Sequence, residues 1–213
     1  MKHADLFERY ESLVNAADRA FQRMAKDYAQ EIKCKRGCSD CCHALFGLFF
    51  VEAFSLKASF DALERKERRK ILARCDKADR DLQRMQEKHK VSGQEGGDAS
   101  EALGKERLRC PLLSDQEVCL LYSHRPITCR VYGIPTAIRG KARVCRKAGF
   151  KEGVSYPAFN LDQVQKELYL LSRELLARHG TADPKQASLL ISVSTALKTP
   201  LEDIIAKSFV SIG

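Results

Sequence analysis

Hydrophobic residues recur at every third or fourth position near the start of the chain, from Leu6 to Tyr28. This spacing is the period of an amphipathic α-helix, in which one stripe of side chains is buried and the rest faces solvent. The pattern predicts an N-terminal helix over residues 5–32. This helix would lead the chain directly to its first cysteine, Cys34.

Two more helices are predicted before the middle of the chain. One begins near Val51, and the other runs from about Glu64 to His89. The stretch from Asp61 to Lys90 holds eleven Lys or Arg and seven Asp or Glu, with few apolar residues. Most of the surface of the longer helix is therefore expected to be solvated.

The C-terminal part is helical again, and its boundaries are well marked. Asn160, Asp183 and Thr199 each have the character of a helix N-cap, and a proline follows each of the latter two. Proline at the first helical position removes an N–H that would have no intrahelical partner, so this order favours helix starts. We expect three helices within residues 160–211.

The region between these helical parts is irregular. Residues 91–104 contain four glycines and small polar residues, which is typical of a mobile loop. Farther on, a hairpin is expected to turn at Arg139-Gly140-Lys141, short strands to flank Ser114-Asp115, and Pro126 to start a short helix that carries Cys129. The fold class is therefore predicted as mainly α with a small irregular β-hairpin region, in a single domain over residues 1–213.

Composition and targeting signals favour a cytoplasmic protein. The N-terminal segment carries acidic residues and lacks the apolar core of a signal peptide. The longest apolar stretch, residues 44–51, is far shorter than the roughly 20 residues that a membrane-spanning helix needs. No membrane partner is expected, and the sequence identifies no protein partner.

Cysteine is the unusual component, with nine in 213 residues. Four of them, Cys34, Cys38, Cys41 and Cys42, lie within nine residues. Cytosolic thiols are kept reduced, so such a cluster indicates a metal or catalytic site rather than disulfides. On a helix the four would share one face, whereas a break at Gly37 would form a knuckle. Neighbouring Cys41 and Cys42 are hard to aim at one ion, and two adjacent metals or one cluster with an outlying ligand would relieve this.

The irregular region supplies four more cysteines, which brings the candidate ligands to eight. The predicted set is Cys34, Cys38, Cys41, Cys42, Cys110, Cys119, Cys129 and Cys145. Eight thiolates would complete two Cys₄ zinc sites, or hold an iron–sulfur cluster such as [4Fe–4S] with thiols left over. Softness alone does not choose between zinc and iron. Two such sites would also reduce the formal net charge of +9 to about +5, since eight thiolates and two divalent ions together add −4.

Other residues near the cysteines have alternative interpretations. Cys75 stands apart and is expected to be a buried structural thiol. His43 and His124 lie close enough in sequence to replace a thiolate, although histidine near a metal site is more often outside its ligand shell. Arg125 and Arg130 flank Cys129, where guanidinium groups would offset thiolate charge or simply be exposed.

Two cysteine blocks, CKRGCSDCC and RCPLLSDQEVCLLYSHRPITCRVYG, resemble the YkgJ-like cysteine-cluster family of zinc- or iron-chelating domains with a CxxCxxCC signature. The resemblance covers roughly residues 34–145. The first gap here is CxxxC, one residue longer than the signature, so Cys34 departs from the pattern. The family is also similar to the cysteine-rich part of flagellin lysine-N-methylases, which implies an iron–sulfur-dependent methyl-transfer or redox enzyme as an alternative function.

The sequence is also compatible with two functions other than metal chelation. The spacing of Cys34, Cys38 and Cys41 also matches the motif of radical enzymes that bind [4Fe–4S] and S-adenosylmethionine, but that motif follows a strand, whereas here a helix precedes it. A metal-stabilised nucleic-acid-binding module would use the six basic residues within 139–151. Few aromatic residues interleave with that charge, so the sequence argues against nucleic acid as a partner.

Overall fold

A computed structural model describes residues 3–91, 106–181 and 183–206. Within them the chain forms helices α1 (Ala4–Asp27), α2 (Phe50–Asp61), α3 (Arg65–Val91), α4 (Ile127–Val131), α5 (Leu161–Ala177), α6 (Pro184–Ala187), α7 (Val193–Lys198) and α8 (Leu201–Ala206). Short 3₁₀ helices span Asp40–His43 and Tyr122–His124, and strands span Thr136–Ile138 (β1), Lys141–Arg143 (β2) and Phe159–Asn160 (β3). The predicted fold class, mainly α with a small β region, is confirmed.

The core lies around α2, whose apolar residues point to all sides. Phe50, Val51 and Leu56 are almost fully buried. This helix packs against α5, α7 and α8, while α1 packs against α4 and α5 and α3 packs against α7. A helix that is apolar on most faces belongs in the interior, so α2 is the centre on which the amphipathic helices assemble.

The N-terminal helix ends earlier than predicted, at Asp27 instead of residue 32. The backbone of Tyr28 leaves the helical region, although its N–H still donates to the carbonyl of Met24. The Tyr28 ring packs edge-on against Tyr156, which in turn packs against Phe150. This contact with a distant part of the chain replaces the last helical turn with the irregular approach to Cys34.

The C-terminal part contains one more described helix than expected. Asn160 and Asp183 are confirmed as N-caps, since their side chains accept hydrogen bonds from the backbone N–H groups of Gln163 and Lys185. An additional start occurs at Ser192, which caps α7, because the preceding residue pairs with Leu48 in a β-bridge. The last helix starts one residue later than the sequence predicted. Thr199 ends α7, and α8 begins only at Leu201, so Pro200 precedes the helix instead of opening it.

The predicted hairpin is present, with β1 and β2 joined by Arg139 and Gly140. Both turn residues have positive φ, 52° and 69°, as in the two-residue turns that match the twist of a hairpin. The parallel strand β3 was not predicted. The strands expected around Ser114-Asp115 amount to a single bridge between Leu113 and Cys119.

The short helix after Pro126 is present as α4 and carries Cys129. The loop predicted for residues 91–104 lies almost wholly outside the described residues. A search of the described residues for a helix able to cross a membrane finds none.

Candidate metal centre

Backbone pairing brings the two cysteine blocks together. The N–H of Cys110 donates to the carbonyl of Cys42 at 2.7 Å, and the N–H of Leu108 donates to that of His43 at 2.9 Å. Ala44 and Arg107 form an antiparallel bridge beside these bonds. Residues from the early block and from the second block are therefore held side by side, although more than sixty positions separate them in sequence.

The eight predicted cysteines line two adjoining cavities. The larger has a volume of about 70 Å³, and seven of the eight line it. The smaller, of about 10 Å³, is lined by Cys34, Cys38, Cys41 and Cys145. We call these last four the outer set. The inner set consists of the cysteines that line the larger cavity alone, namely Cys42, Cys110, Cys119 and Cys129.

Contacts between thiols join the two sets through the neighbouring residues Cys41 and Cys42. Hydrogen bonding with the Cys129 thiol lowers the pKa of Cys41, and the same contact raises the pKa of Cys129. Hydrogen bonding with Cys119 raises the pKa of Cys42, while the pKa of Cys119 is lowered. Cys41 and Cys42 thus contact different third thiols, Cys129 and Cys119, and they also contact each other.

Burial is the main influence on the other cysteines of the two sets whose pKa is shifted. It raises the pKa of Cys110 to about 12 and that of Cys34 to about 11. It also raises the pKa of Cys145. Loss of solvent disfavours the thiolate unless a cation is nearby, so deprotonation of these sulfurs requires positive charge in the cavities.

A polar network centred on the buried Asp40 lies beside the outer set. The thiol of Cys145 donates to Asp40 Oδ2 at 3.2 Å, and Arg107 donates to Asp40 Oδ1 at 2.8 Å. Lys147 Nζ lies 3.8 Å from the same carboxylate, and Arg107 also reaches the hydroxyl of Tyr132. Hydrogen bonds and cations outweigh the effect of burial, so the pKa of Asp40 is lowered. Sequence reasoning did not identify this carboxylate or its partners as part of the site.

A glycine makes room for Cys34. A Cβ placed on Gly133 would lie 2.4 Å from Cys34 Cβ and 3.0 Å from its sulfur, far inside contact distance. Gly133 follows α4 in the segment RVYG, so the second cysteine block supplies both Cys129 and the space for Cys34. No local sequence signal marks this close approach.

Arg125 is a cation close enough to influence several of the thiols. Its guanidinium lies 3.7 Å from the centre of the Tyr122 ring, its Nε donates to the Tyr122 carbonyl, and it lines the larger cavity. Its charge favours the thiolate forms of Cys34, Cys41 and Cys119. Arg130 does not share this role. Its guanidinium group pairs with Asp18 at 2.7 Å and donates to backbone carbonyls, so it stabilises the position of α4 in the fold.

Glu52 fixes the start of the helix that carries Cys129. Its side chain is only 3% exposed, and its carboxylate accepts hydrogen bonds from the N–H of Ile127 at 3.0 Å and of Phe49 at 3.2 Å. Burial raises the pKa of Glu52 to about 7. The signal in the sequence is a single acidic residue inside the apolar run LFFVEAF, which sequence reasoning treated only as the end of that run.

The remaining candidates lie at the edge of the site. His43 Nδ1 is hydrogen-bonded to the Ser39 carbonyl at 3.0 Å, and His124 is exposed in the second 3₁₀ helix. Cys75 is fully buried in α3, as expected for a structural thiol, and its side chain is hydrogen-bonded with that of Ser194.

Chemically, the donor set fits a thiophilic cation. Within residues 3–91, 106–181 and 183–206, no three His, Cys, Asp or Glu side chains form a ready-made group that could hold a metal ion. The cysteines instead line a cavity of about 70 Å³, which is larger than the roughly 10–15 Å³ needed by one water. Thiolates are preferred ligands of zinc and of iron–sulfur clusters.

A family model described as CxxCxxCC, "putative zinc- or iron-chelating domain", matches residues 33–146. No curated protein matches the chain, and no solved structure does. The matched stretch covers more than half of the chain and includes both cysteine blocks, which confirms the resemblance drawn from their sequences. The chain belongs to the CxxCxxCC family of zinc- or iron-chelating domains.

Proposed function

We propose that the protein binds zinc or iron through the eight cysteines of the inner and outer sets. The observation that carries this proposal is the meeting of Cys42 with Cys110, Cys119 and Cys129 around one cavity, although they come from separate parts of the chain. Cores do not require such an accumulation of thiols. A bound cation would supply the positive charge that buried thiolates need.

Division of the cysteines into two sets of four supports two adjacent ions. The inner set would hold one ion and the outer set the other, with Cys41 and Cys42 contributing to different ions. The sulfur neighbours that influence Cys34 are the other three members of the outer set. Cys41 also contacts Cys42 and Cys129 of the inner set, so the two ions would lie next to each other. An iron–sulfur cluster held by one set is the alternative form of the same site.

Nearby charged groups would support the thiolates. Arg125 lies against the larger cavity, and Arg107 and Lys147 surround Asp40 beside the smaller one. With its proton released, Cys145 would no longer donate to Asp40, and Lys147 would then compensate the additional negative charge. Glu52 would keep Cys129 in place through the N–H of Ile127.

The decisive experiment is purification without oxygen, followed by elemental analysis and an absorption spectrum. About two zinc ions per chain in a colourless sample would support two Cys₄ sites, and iron with sulfide in a brown sample would support a cluster. A cluster would also favour the methyl-transfer or redox alternative. Protein that is folded but free of metal would contradict the proposal.

A nucleic-acid-binding role is the second candidate, because strand β2 is exposed along its whole length and carries Lys141 and Arg143. Binding of DNA or RNA that weakens steeply with salt would favour it. Absence of binding at low salt would remove it. The test is independent of metal content and can be made on the same preparation.

A further inference from the structure

A third cavity, lined by no cysteine among the described residues, lies between α2, α3, α7 and α8. It is a groove with a volume of about 500 Å³, within the range of small-molecule sites. The described residues that line it include five cations, Lys57, Arg65, Arg68, Arg69 and Lys198. They also include two carboxylates, Asp61 and Glu202, which leaves a net charge of +3.

Two of the five cations already have carboxylate partners. Lys57 Nζ lies 2.5 Å from Asp61, and Lys198 Nζ lies 2.6 Å from Asp76 and 3.1 Å from Asp79. Arg68 lies 3.8 Å from Asp61, whose carboxylate is already closely paired with Lys57. The excess positive charge of the groove therefore belongs to the arginines of α3.

These arginines form one face of the helix. Arg65, Arg68, Arg69 and the partly buried Leu72 have the spacing i, i+3, i+4 and i+7, so all four line the groove. Arg65 and Arg69 repel each other at i, i+4, and both lie in the first turns, where the helix dipole favours anions. The positions of these arginines are unfavourable for the stability of the helix. Residues that lower stability in this way are typical of functional surfaces.

Arg68 is the central arginine of the three, and it lines the groove with a side chain that is 37% exposed. Its ion pair with Asp61, at 3.8 Å, is too long for a hydrogen bond. The guanidinium group of Arg68 is therefore still able to bind an anion in the groove.

We propose that this groove binds a small phosphate-bearing ligand. Guanidinium groups bind phosphate through paired hydrogen bonds, and three arginines on one face match a group of charge −2 or more better than a single carboxylate. A groove of this volume, with residues of four helices around it, suits a small molecule better than an extended nucleic-acid strand. The proposal does not depend on the metal function.

Titration calorimetry with pyrophosphate, on the full chain at low ionic strength, tests the proposal. We expect saturable binding at one site, weakened by about tenfold or more in Arg65→Gln/Arg69→Gln. The matched control is Lys66→Gln/Lys70→Gln, which removes the same charge at the same spacing from residues that do not line the groove. This control is expected to change affinity by less than about twofold. Any heat from chelation of metal by pyrophosphate is common to both variants.

Circular dichroism and metal content of both double variants should equal those of the wild type, which separates this result from any failure of the metal site. Absence of saturable binding would overturn the proposal, as would equal weakening in both double variants. Binding of a single-stranded oligonucleotide, lost in Arg65→Gln/Arg69→Gln while pyrophosphate does not bind, would assign the arginines to nucleic acid instead.

Discussion

The inner and outer sets of cysteines differ in what surrounds their sulfurs. Cys42 of the inner set meets the thiols of Cys41 and Cys119 and packs in one apolar cluster with Leu113. Cys145 of the outer set donates to Asp40, which Arg107 also binds. A metal ion in the inner set would thus be part of the folded core, whereas the outer set already has a charged network of its own. Two sets of ligands with the same chemistry therefore need not contribute equally to the stability of the protein.

The largest effect is expected for Cys42→Ser. This change removes an inner ligand and leaves its partners buried, so the protein should lose at least about one metal ion per chain and several kcal/mol of unfolding free energy. Elemental analysis and urea unfolding measure both quantities. Cys75→Ser is the matched control, since it replaces another buried cysteine and should leave metal content unchanged. Equal metal loss in both variants would contradict the assignment.

Glu52→Gln tests the support of the inner set through pH. The folded pKa of Glu52 is about 7, against an ordinary value of 4.5, so its contribution to stability is fully present below 4.5. As the pH rises from 4.5 to 7, the unfolded chain ionises first and that contribution is lost. The stability of the wild type relative to Glu52→Gln should therefore fall by about 3 kcal/mol over this interval. Urea unfolding at several pH values checks this, and a difference independent of pH would exclude the buried acid.

Gly133→Ala tests the packing of the outer set. Its new Cβ would lie 2.4 Å from that of Cys34, so one backbone must move, at an expected cost of about 1–3 kcal/mol. Thermal unfolding measures the loss. The double variant Gly133→Ala/Cys34→Gly removes the opposing Cβ and should recover part of the stability. No recovery would indicate that the contact with Cys34 is not the cause.

The smallest effect on folding is expected for Cys145→Ser. Its hydroxyl can still donate to Asp40, so the unfolding free energy of metal-free protein should change by less than about 1 kcal/mol. Metal content should nevertheless fall by about one ion per chain, with the inner ion retained. Loss of all metal would show that the two sets act as one centre.

Local patterns accounted for much of the fold but for only part of the site. The stripe from Leu6 to Met24, the cap at Asn160 and the turn at Arg139-Gly140 could all be predicted, because each depends on residues close in sequence. The eight cysteines that line the two cavities could be named from their number and spacing, and their role as ligands stays a prediction. Asp40, Gly133 and Glu52 could not be assigned their roles, since those depend on contacts with Arg107, Cys34 and Ile127, far away along the chain. The end of α1 was wrong for the same reason, because Tyr28 packs against distant rings.

Contact between the thiols of Cys42 and Cys119 makes metal-free protein vulnerable to air. Oxygen can take two electrons and two protons from such a pair, forming hydrogen peroxide and a disulfide that ties residue 42 to residue 119. That crosslink would make two sulfurs of the inner set unavailable as metal ligands. Protein that loses its metal during preparation in air is therefore not expected to bind metal again until a reductant is added.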